Sequence, residues 1–192
     1  MRGKLIVVSG PSGAGKSTLI RAALDEVPEL AYSVSATTRK PRPGEVNGRD
    51  YIFLSREEFE RWIEADNFLE WAEYSGNLYG TPESRAEEFI EAGLSVILEI
   101  ELKGARKVRE KRPDAVMVFV RAPSLEETRK RLEGRETETS EAVESRMTTA
   151  VKEVAARNEF DYEVINGDRG HARRDMIETM RKITGGEDAE RA

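Results

Sequence analysis

The chain has 192 residues, enough for one sizeable core, and carries 31 Lys and Arg against 37 Asp and Glu, a formal net charge of -6. That mildly acidic balance speaks against a general nucleic-acid or anionic-membrane surface, so any phosphate-binding arginines must act as local clusters. Cysteine is absent and His171 is the single histidine, which excludes disulfides, thiolate metal sites and a histidine metal cluster.

In chain order, Leu5-Ile6-Val7-Val8 is an apolar, β-branched run that predicts a buried strand. Gly10-Pro11-Ser12-Gly13-Ala14-Gly15-Lys16-Ser17 follows it and fits the phosphate-loop pattern G-x-x-x-x-G-K-[ST]. Residues 17–26 read as a helix, stopped by Val27-Pro28. A strand, a glycine turn and a helix N-terminus in that order gather backbone N–H groups and a favourable dipole around an anion. Lys16 is expected to reach the β- and γ-phosphates of a nucleoside triphosphate and the Ser17 hydroxyl to ligand Mg²⁺, with Thr18 beside them. Gly13 and Gly15 let the backbone bend past the phosphates without a Cβ.

Tyr32-Ser33-Val34-Ser35 predicts a second strand, and the polar residues 37–50, with two prolines and two glycines, predict loop. Tyr51-Ile52-Phe53-Leu54 reads as a strand. Ser55 and Glu58 then form a capping box, opening a helix whose apolar face is Phe59, Trp62 and Ile63. Residues 68–74 alternate as a strand does, and Ser75-Gly76-Asn77 is a turn before Leu78-Tyr79-Gly80. Thr81-Pro82 reads as an N-cap with proline at the first helical position, and Gly93 ends that helix. Residues 37–90 therefore predict a small α+β insertion.

Residues 94–100 resume the α/β rhythm with a buried strand ending in acids, followed by a helix that Pro113 stops and a strand over 115–120. Ser124 and Glu127 predict a second capping box. Gly134 breaks the helix so opened, residues 135–139 are a charged loop, and Ser140 starts a long helix striped with Val143, Met147, Ala150, Val151 and Val154. This pair predicts a mobile flap. A strand over 161–165, a helix over 175–183 and a frayed tail complete the reading. No apolar run has membrane-spanning length and the first residues lead straight into a strand, so the expectation is a soluble cytoplasmic protein.

Several blocks beyond the phosphate loop resemble guanylate kinases. They are the run from Ser33 to Glu45, Asn47-Gly48-Arg49-Asp50-Tyr51, Leu69-Glu70-Trp71-Ala72, Tyr79-Gly80-Thr81 and Arg131-Leu132-Glu133-Gly134-Arg135. The resemblance spans residues 5–183 with the blocks in family order. It implies an α/β fold with a three-layer P-loop NTPase core, a parallel sheet, an inserted α+β GMP-binding region and a helical lid. The expected division is core over 1–36, 91–125 and 158–185, GMP-binding insertion over 37–90, lid over 126–157 and flexible tail over 186–192. The implied reaction is transfer of the γ-phosphoryl group of ATP to GMP, and to dGMP, with Mg²⁺, in purine nucleotide metabolism. No nucleic-acid or membrane partner is expected, and monomer and homo-oligomer both stay open.

The residues themselves fit that chemistry. A guanidinium forks onto a phosphate, so Arg39 and Arg42 on a proline-stiffened loop suit a phosphomonoester, although alone Arg-x-x-Arg is more often a solvated pair. The resemblance makes Tyr51 and Tyr79 the phosphate-contacting tyrosines. Guanine presents two adjacent donors and an acceptor, which a carboxylate and a hydroxyl complement. The resemblance assigns those roles to Glu70 and Ser35, with Thr81 as a further hydroxyl. It places Glu101 near the guanine and acceptor phosphate and Glu99 at the position that reaches Mg²⁺ through water. The commoner family pattern has aspartate at one or both places, and glutamine where this chain has Lys103. Arg131, Arg135 and Arg146 match the lid arginines, and Asn166 matches the stretch lining the adenine; Glu136 and Gly167 depart from the family pattern. Two other readings remain at this stage. An interaction module of guanylate-kinase type typically lacks the phosphate loop, and a kinase for a sugar bisphosphate has no base for Ser35 and Glu70 to read.

Overall fold

Five consecutive buried residues make β1 (Leu5–Ser9) a strand covered on both faces. The computed structural model describes residues 2–134 and 140–185; the readings for Arg135, Glu136 and the tail lie outside the described residues. β1 pairs in parallel with β7 (Ser95–Glu99) and β8 (Val116–Arg121), and β2 (Leu30–Tyr32) and β9 (Tyr162–Ile165) complete a sheet of order β2-β7-β1-β8-β9. Ile6, Val8, Val118 and Val164 pack on one face against Leu19, Ile20 and Ala23 of α1 (Lys16–Glu26) and Met176 and Met180 of α7 (Arg169–Thr184). Leu5, Val7, Val96 and Leu98 pack on the other against Ala86 and Ile90 of α3 (Glu83–Glu91) and Ala105 and Val108 of α4 (Leu102–Lys111). The alternation along each strand thus produces three layers.

A second, mixed sheet has the order β4-β3-β6-β5, with β3 (Ala36–Thr37), β4 (Ile52–Phe53), β5 (Phe68–Tyr74) and β6 (Asn77–Pro82). Its small core is Ala36, Phe59, Phe68 and Leu78, with Phe59 of α2 (Arg56–Glu64) stacked on Phe68 at 4.4 Å. The expected Ser55–Glu58 capping box is present with both reciprocal bonds. Two lysines of α4 tie this sheet to the core: Lys107 Nζ donates to the Trp71 carbonyl at 2.9 Å and Lys111 Nζ to that of Phe68 at 3.0 Å. The remaining helices, α5 (Leu125–Glu133) and α6 (Ser140–Ala155), share a cluster of Leu132, Val143 and Met147.

Four local expectations need correction. The predicted strand over 32–35 is divided, because β2 belongs to the five-stranded sheet and β3 to the other; Ser33, Val34 and Ser35 carry the chain between them. Thr81 does not cap α3. It lies in β6 and its hydroxyl donates to Glu70, while Pro82 is the capping residue without a side-chain bond. The second capping box is half made: Ser124 Oγ accepts from the Glu127 N–H, but the Glu127 carboxylate turns to Arg131. α7 begins at Arg169, six residues before the predicted start, because Asp168 accepts from the His171 N–H and caps it.

Candidate active site

β1 and β7 end side by side, and the loop after β1 wraps into α1, so the groups of that loop sit at the carboxyl edge of the sheet. Gly15 has φ +82°, and a Cβ there would stand 2.3 Å from Asn166 Nδ2, so both conformation and space call for glycine. Asn166 is buried and its amide donates to the Ala14 carbonyl at 2.7 Å. One N–H of the side chain read as adenine-lining is thus bonded to the loop itself. Lys16 Nζ donates to the Gly10 and Pro11 carbonyls at 2.6 and 3.1 Å, and Ser17 Oγ donates to Glu99 Oε1 at 2.8 Å.

A cavity of about 890 Å³ extends from these groups to the second sheet. It brings Lys16, Ser17, Glu99 and Glu101 together with Ser35, Tyr51, Glu70 and Tyr79, although residues 16 and 101 are far apart in sequence. Glu70 is the buried charge on its wall. Thr81 Oγ1 donates to Glu70 Oε1 at 2.9 Å, and Gly104 in the first turn of α4 comes so near that a Cβ would lie 3.1 Å from Oε2. Burial pushes the Glu70 carboxyl above the ordinary carboxylate range; the Thr81 hydroxyl and the Lys107 ammonium oppose that, and Glu101 adds to it.

Arg39 forms a two-bond fork on Glu45, at 2.8 and 3.0 Å, and Glu45 also accepts from the Arg42 N–H at 2.7 Å. The Arg39 guanidinium lies 5.2 Å from the Tyr51 ring centre, and Tyr51 and Tyr79 meet edge to face at 6.3 Å. Its pKa is held above the ordinary value chiefly by the Glu45 bond, with a smaller contribution from Tyr79. Arg39 therefore neighbours Tyr51 and Tyr79, which line the cavity, while neither Arg39 nor the exposed Arg42 on the same loop lines it. Arg131 of α5 donates to Glu127 and, at 2.7 Å, to the Asn166 carbonyl, and its Cβ lies beside Gly13. That brings Arg131 to the phosphate loop; Arg146 is half-buried on α6, and Arg135 lies outside the described residues.

The sequence reading missed Tyr32, Asp50, Trp71 and Lys107 as cavity residues. Lys107 had a signal: it lies four residues after Lys103, so both occupy one face of α4. Tyr32 had none, because its place on the cavity wall depends on β2 pairing with β7, where it stands opposite Ile97.

A buried parallel sheet whose first strand turns through a glycine loop into a helix defines a P-loop NTPase-like α/β protein, here with a second sheet facing the loop. The family model described as guanylate kinase matches residues 2–183. A guanylate kinase from Rubrobacter xylanophilus is 78% identical over 187 residues, 97% of this chain and 98% of that protein. One from Desulfitobacterium hafniense is 52% identical over 164 residues, 85% and 82% of the two chains. The solved guanylate kinase of Anaplasma phagocytophilum superposes with a TM-score of 0.72 at 31% identity, covering 99% of this chain and 88% of its own. The chain belongs to the guanylate kinase family.

Proposed function

We propose that the protein transfers the γ-phosphoryl group of ATP to GMP, and to dGMP, giving ADP and GDP or dGDP in purine nucleotide metabolism. The observation that carries this reading is the buried Glu70 carboxylate, oriented by Thr81 and sharing one cavity with Lys16 and Ser17. Guanine offers N1–H and N2–H₂ to a carboxylate, whereas adenine puts a lone pair at N1. A buried acceptor left facing that lone pair disfavours AMP by roughly 10⁴-fold or more. Ser35 and Glu101, which line the same cavity, would complete the base pocket.

The acceptor phosphate would sit between Arg39, Arg42, Tyr51 and Tyr79, where forked guanidiniums and phenols hold its oxygens. The loop of Gly10, Pro11, Ser12, Gly13, Ala14 and Gly15, with Thr18 after it, would cradle the donor phosphates through N–H groups from Ser12 onward, Pro11 having none and only shaping the turn, and Lys16 would carry charge from the donor toward the acceptor. An acceptor phosphate oxygen attacks the γ-phosphorus as its bond to the β–γ bridging oxygen breaks and ADP leaves. Little covalent work falls to the protein, so positioning and charge neutralisation dominate. Arg131, Arg135 and Arg146 on the lid would close over the transferring group and exclude water. Asn166 acts through the loop it braces.

The adjacent Ser17 hydroxyl and Glu99 carboxylate are hard oxygen donors that suit Mg²⁺, Ser17 directly and Glu99 through water. When bound, the ion supplies further neutralisation of the donor phosphates. The proposed working parts are the core, the insertion over 37–90 and the lid over 126–157. Among the described residues no helix is long and apolar enough to cross a membrane.

ADP release from ATP and Mg²⁺ with GMP, dGMP, AMP, CMP and UMP in turn tests the proposal. Turnover confined to the guanine nucleotides is expected. Equal turnover of AMP, or none of GMP, contradicts it.

A further inference from the structure

β5 is an edge strand of the second sheet, so one row of its carbonyls has no strand to meet. Its pairing with β6 shifts by one residue between Phe68, opposite Pro82, and Glu70, opposite Thr81, which makes a β-bulge immediately ahead of Glu70. In a regular strand, carbonyls three residues apart point to opposite edges, because successive peptides alternate. Here the extra residue turns the carbonyls of Phe68 and Trp71 to the same helix. Lys111 Nζ donates to the first at 3.0 Å and Lys107 Nζ to the second at 2.9 Å. α4 thus grips β5 on both sides of Glu70. The two lysines differ. Lys111 also pairs with Asp66 and Glu83, at 3.1 and 2.9 Å, which neutralises it. Lys107 is half-buried, bonds a neutral carbonyl, lies 5.2 Å from the Trp71 ring centre and lines the same cavity as Glu70. One turn earlier on the same face of α4, Gly104 stands against Glu70 itself, where a Cβ would be 3.1 Å from Oε2.

We propose that Lys107 is a positioning residue for acceptor choice: by bonding the Trp71 carbonyl it holds the bulge that aims the Glu70 carboxylate into the cavity, and it adds a positive charge to the wall that carries Glu70. The inference rests on the kinase reading given above. Glu70 is faced by the Thr81 hydroxyl from β6, by Gly104 and Lys107 from α4 and by Glu101 just before α4, and Glu73, Tyr79 and Lys103 line the same cavity. Of these, the Thr81 hydroxyl and the Lys107 ammonium favour the ionised carboxylate, whereas burial and Glu101 oppose it. The two adjacent donors of guanine call for that ionised form. Loss of the ammonium should therefore weaken GMP binding most at low pH. Loosening of the strand alone would weaken it equally at every pH.

Steady-state GDP formation across the acid pH range, with thermal melting, tests this in wild type, Lys107→Met, Lys107→Arg and a control on the exposed side of α4, Glu110→Gln. Lys107→Met keeps an apolar stem beside Trp71 and removes the charge. It should raise the KM for GMP roughly tenfold at neutral pH, with the KM for ATP and the melting temperature little changed. The acid limb of its kcat/KM profile for GMP should move to higher pH. The GMP phosphate titrates identically for every variant, so the difference between profiles reports on the protein. Lys107→Arg should bring the KM for GMP back to within about threefold of wild type and return the limb, and Glu110→Gln should match wild type. A KM for GMP within about twofold of wild type in Lys107→Met, with the limb unmoved, overturns the inference. So does a rise that is equal at every pH, a matching rise for ATP, or a failure of Lys107→Arg to restore the profile. Wild type that forms no GDP removes the kinase reading and this inference with it, whereas an active wild type with an unmoved Lys107→Met profile removes this inference alone.

Discussion

The two ends of the cavity are built in different ways. At the donor end, a contiguous motif sits between a wholly buried strand and a helix, and its polar partners are largely backbone: Lys16 on the Gly10 and Pro11 carbonyls, Asn166 on that of Ala14. At the acceptor end, a small four-stranded sheet with a four-residue buried core holds its charges by side-chain pairs, Glu70 on Thr81 and Arg39 on Glu45. On the proposed function, the first design would fix an anion site by chain geometry and the second a chemical preference by placing particular side chains. Damage at the donor end should therefore abolish turnover for every acceptor, whereas damage at the acceptor end should redistribute turnover among acceptors.

The largest expected effect is at Lys16. Lys16→Met should lower kcat by roughly 10²–10³-fold with any acceptor, read as ADP release, because one of the principal charges facing the transferring group is gone. Equal loss of a GMP-specific signal only would break the comparison. Next comes Gly15→Ala, which forces an L side chain to φ +82° and drives its Cβ into Asn166 Nδ2. The left-handed backbone alone costs about 1–2 kcal/mol, so the melting temperature should fall together with ATP affinity. Gly15→Ala paired with Asn166→Ala should recover part of the affinity, since the clash is removed and the φ strain stays.

At the acceptor end, Arg39→Lys should raise the KM for GMP by about tenfold with little change in the KM for ATP, because an ammonium cannot fork onto a phosphate. A matching rise for ATP would place Arg39 with the donor instead. The smallest effect concerns pH. The folded protein holds the Glu70 pKa above its ordinary 4.5, chiefly through burial. On the proposed function guanine is bound by the ionised form, so the KM for GMP should climb as pH falls through that raised value and stay level in Glu70→Gln. Stability has the opposite sense: with the folded pKa raised, Glu70 favours folding below the unfolded value, and that contribution is lost as pH rises through the folded one. Wild type should thus lose stability relative to Glu70→Gln over that window, as chemical denaturation at successive pH values would record.

The same contrast explains what could be read from the amino acids. The phosphate loop, the buried strands and the Ser55 cap are local patterns, and each is where its periodicity and spacing put it. The split of residues 32–35 between two sheets escaped notice because both pieces have the composition of one strand; only pairing with β7 or β6 distinguishes them. Thr81 looked like a cap because Thr-Pro before a helix usually is one, yet the buried Glu70 opposite claims its hydroxyl. The packing of Gly104 onto Glu70 is likewise a contact between distant segments that neither glycine nor glutamate announces alone.

The central claim, that the second sheet chooses the acceptor while the phosphate loop supplies the donor, is tested most directly by the GMP-to-AMP ratio of kcat/KM in wild type and Glu70→Gln. The account predicts a ratio of about 10⁴ or more in wild type, reduced at least tenfold in the variant. An unchanged ratio in Glu70→Gln would contradict it.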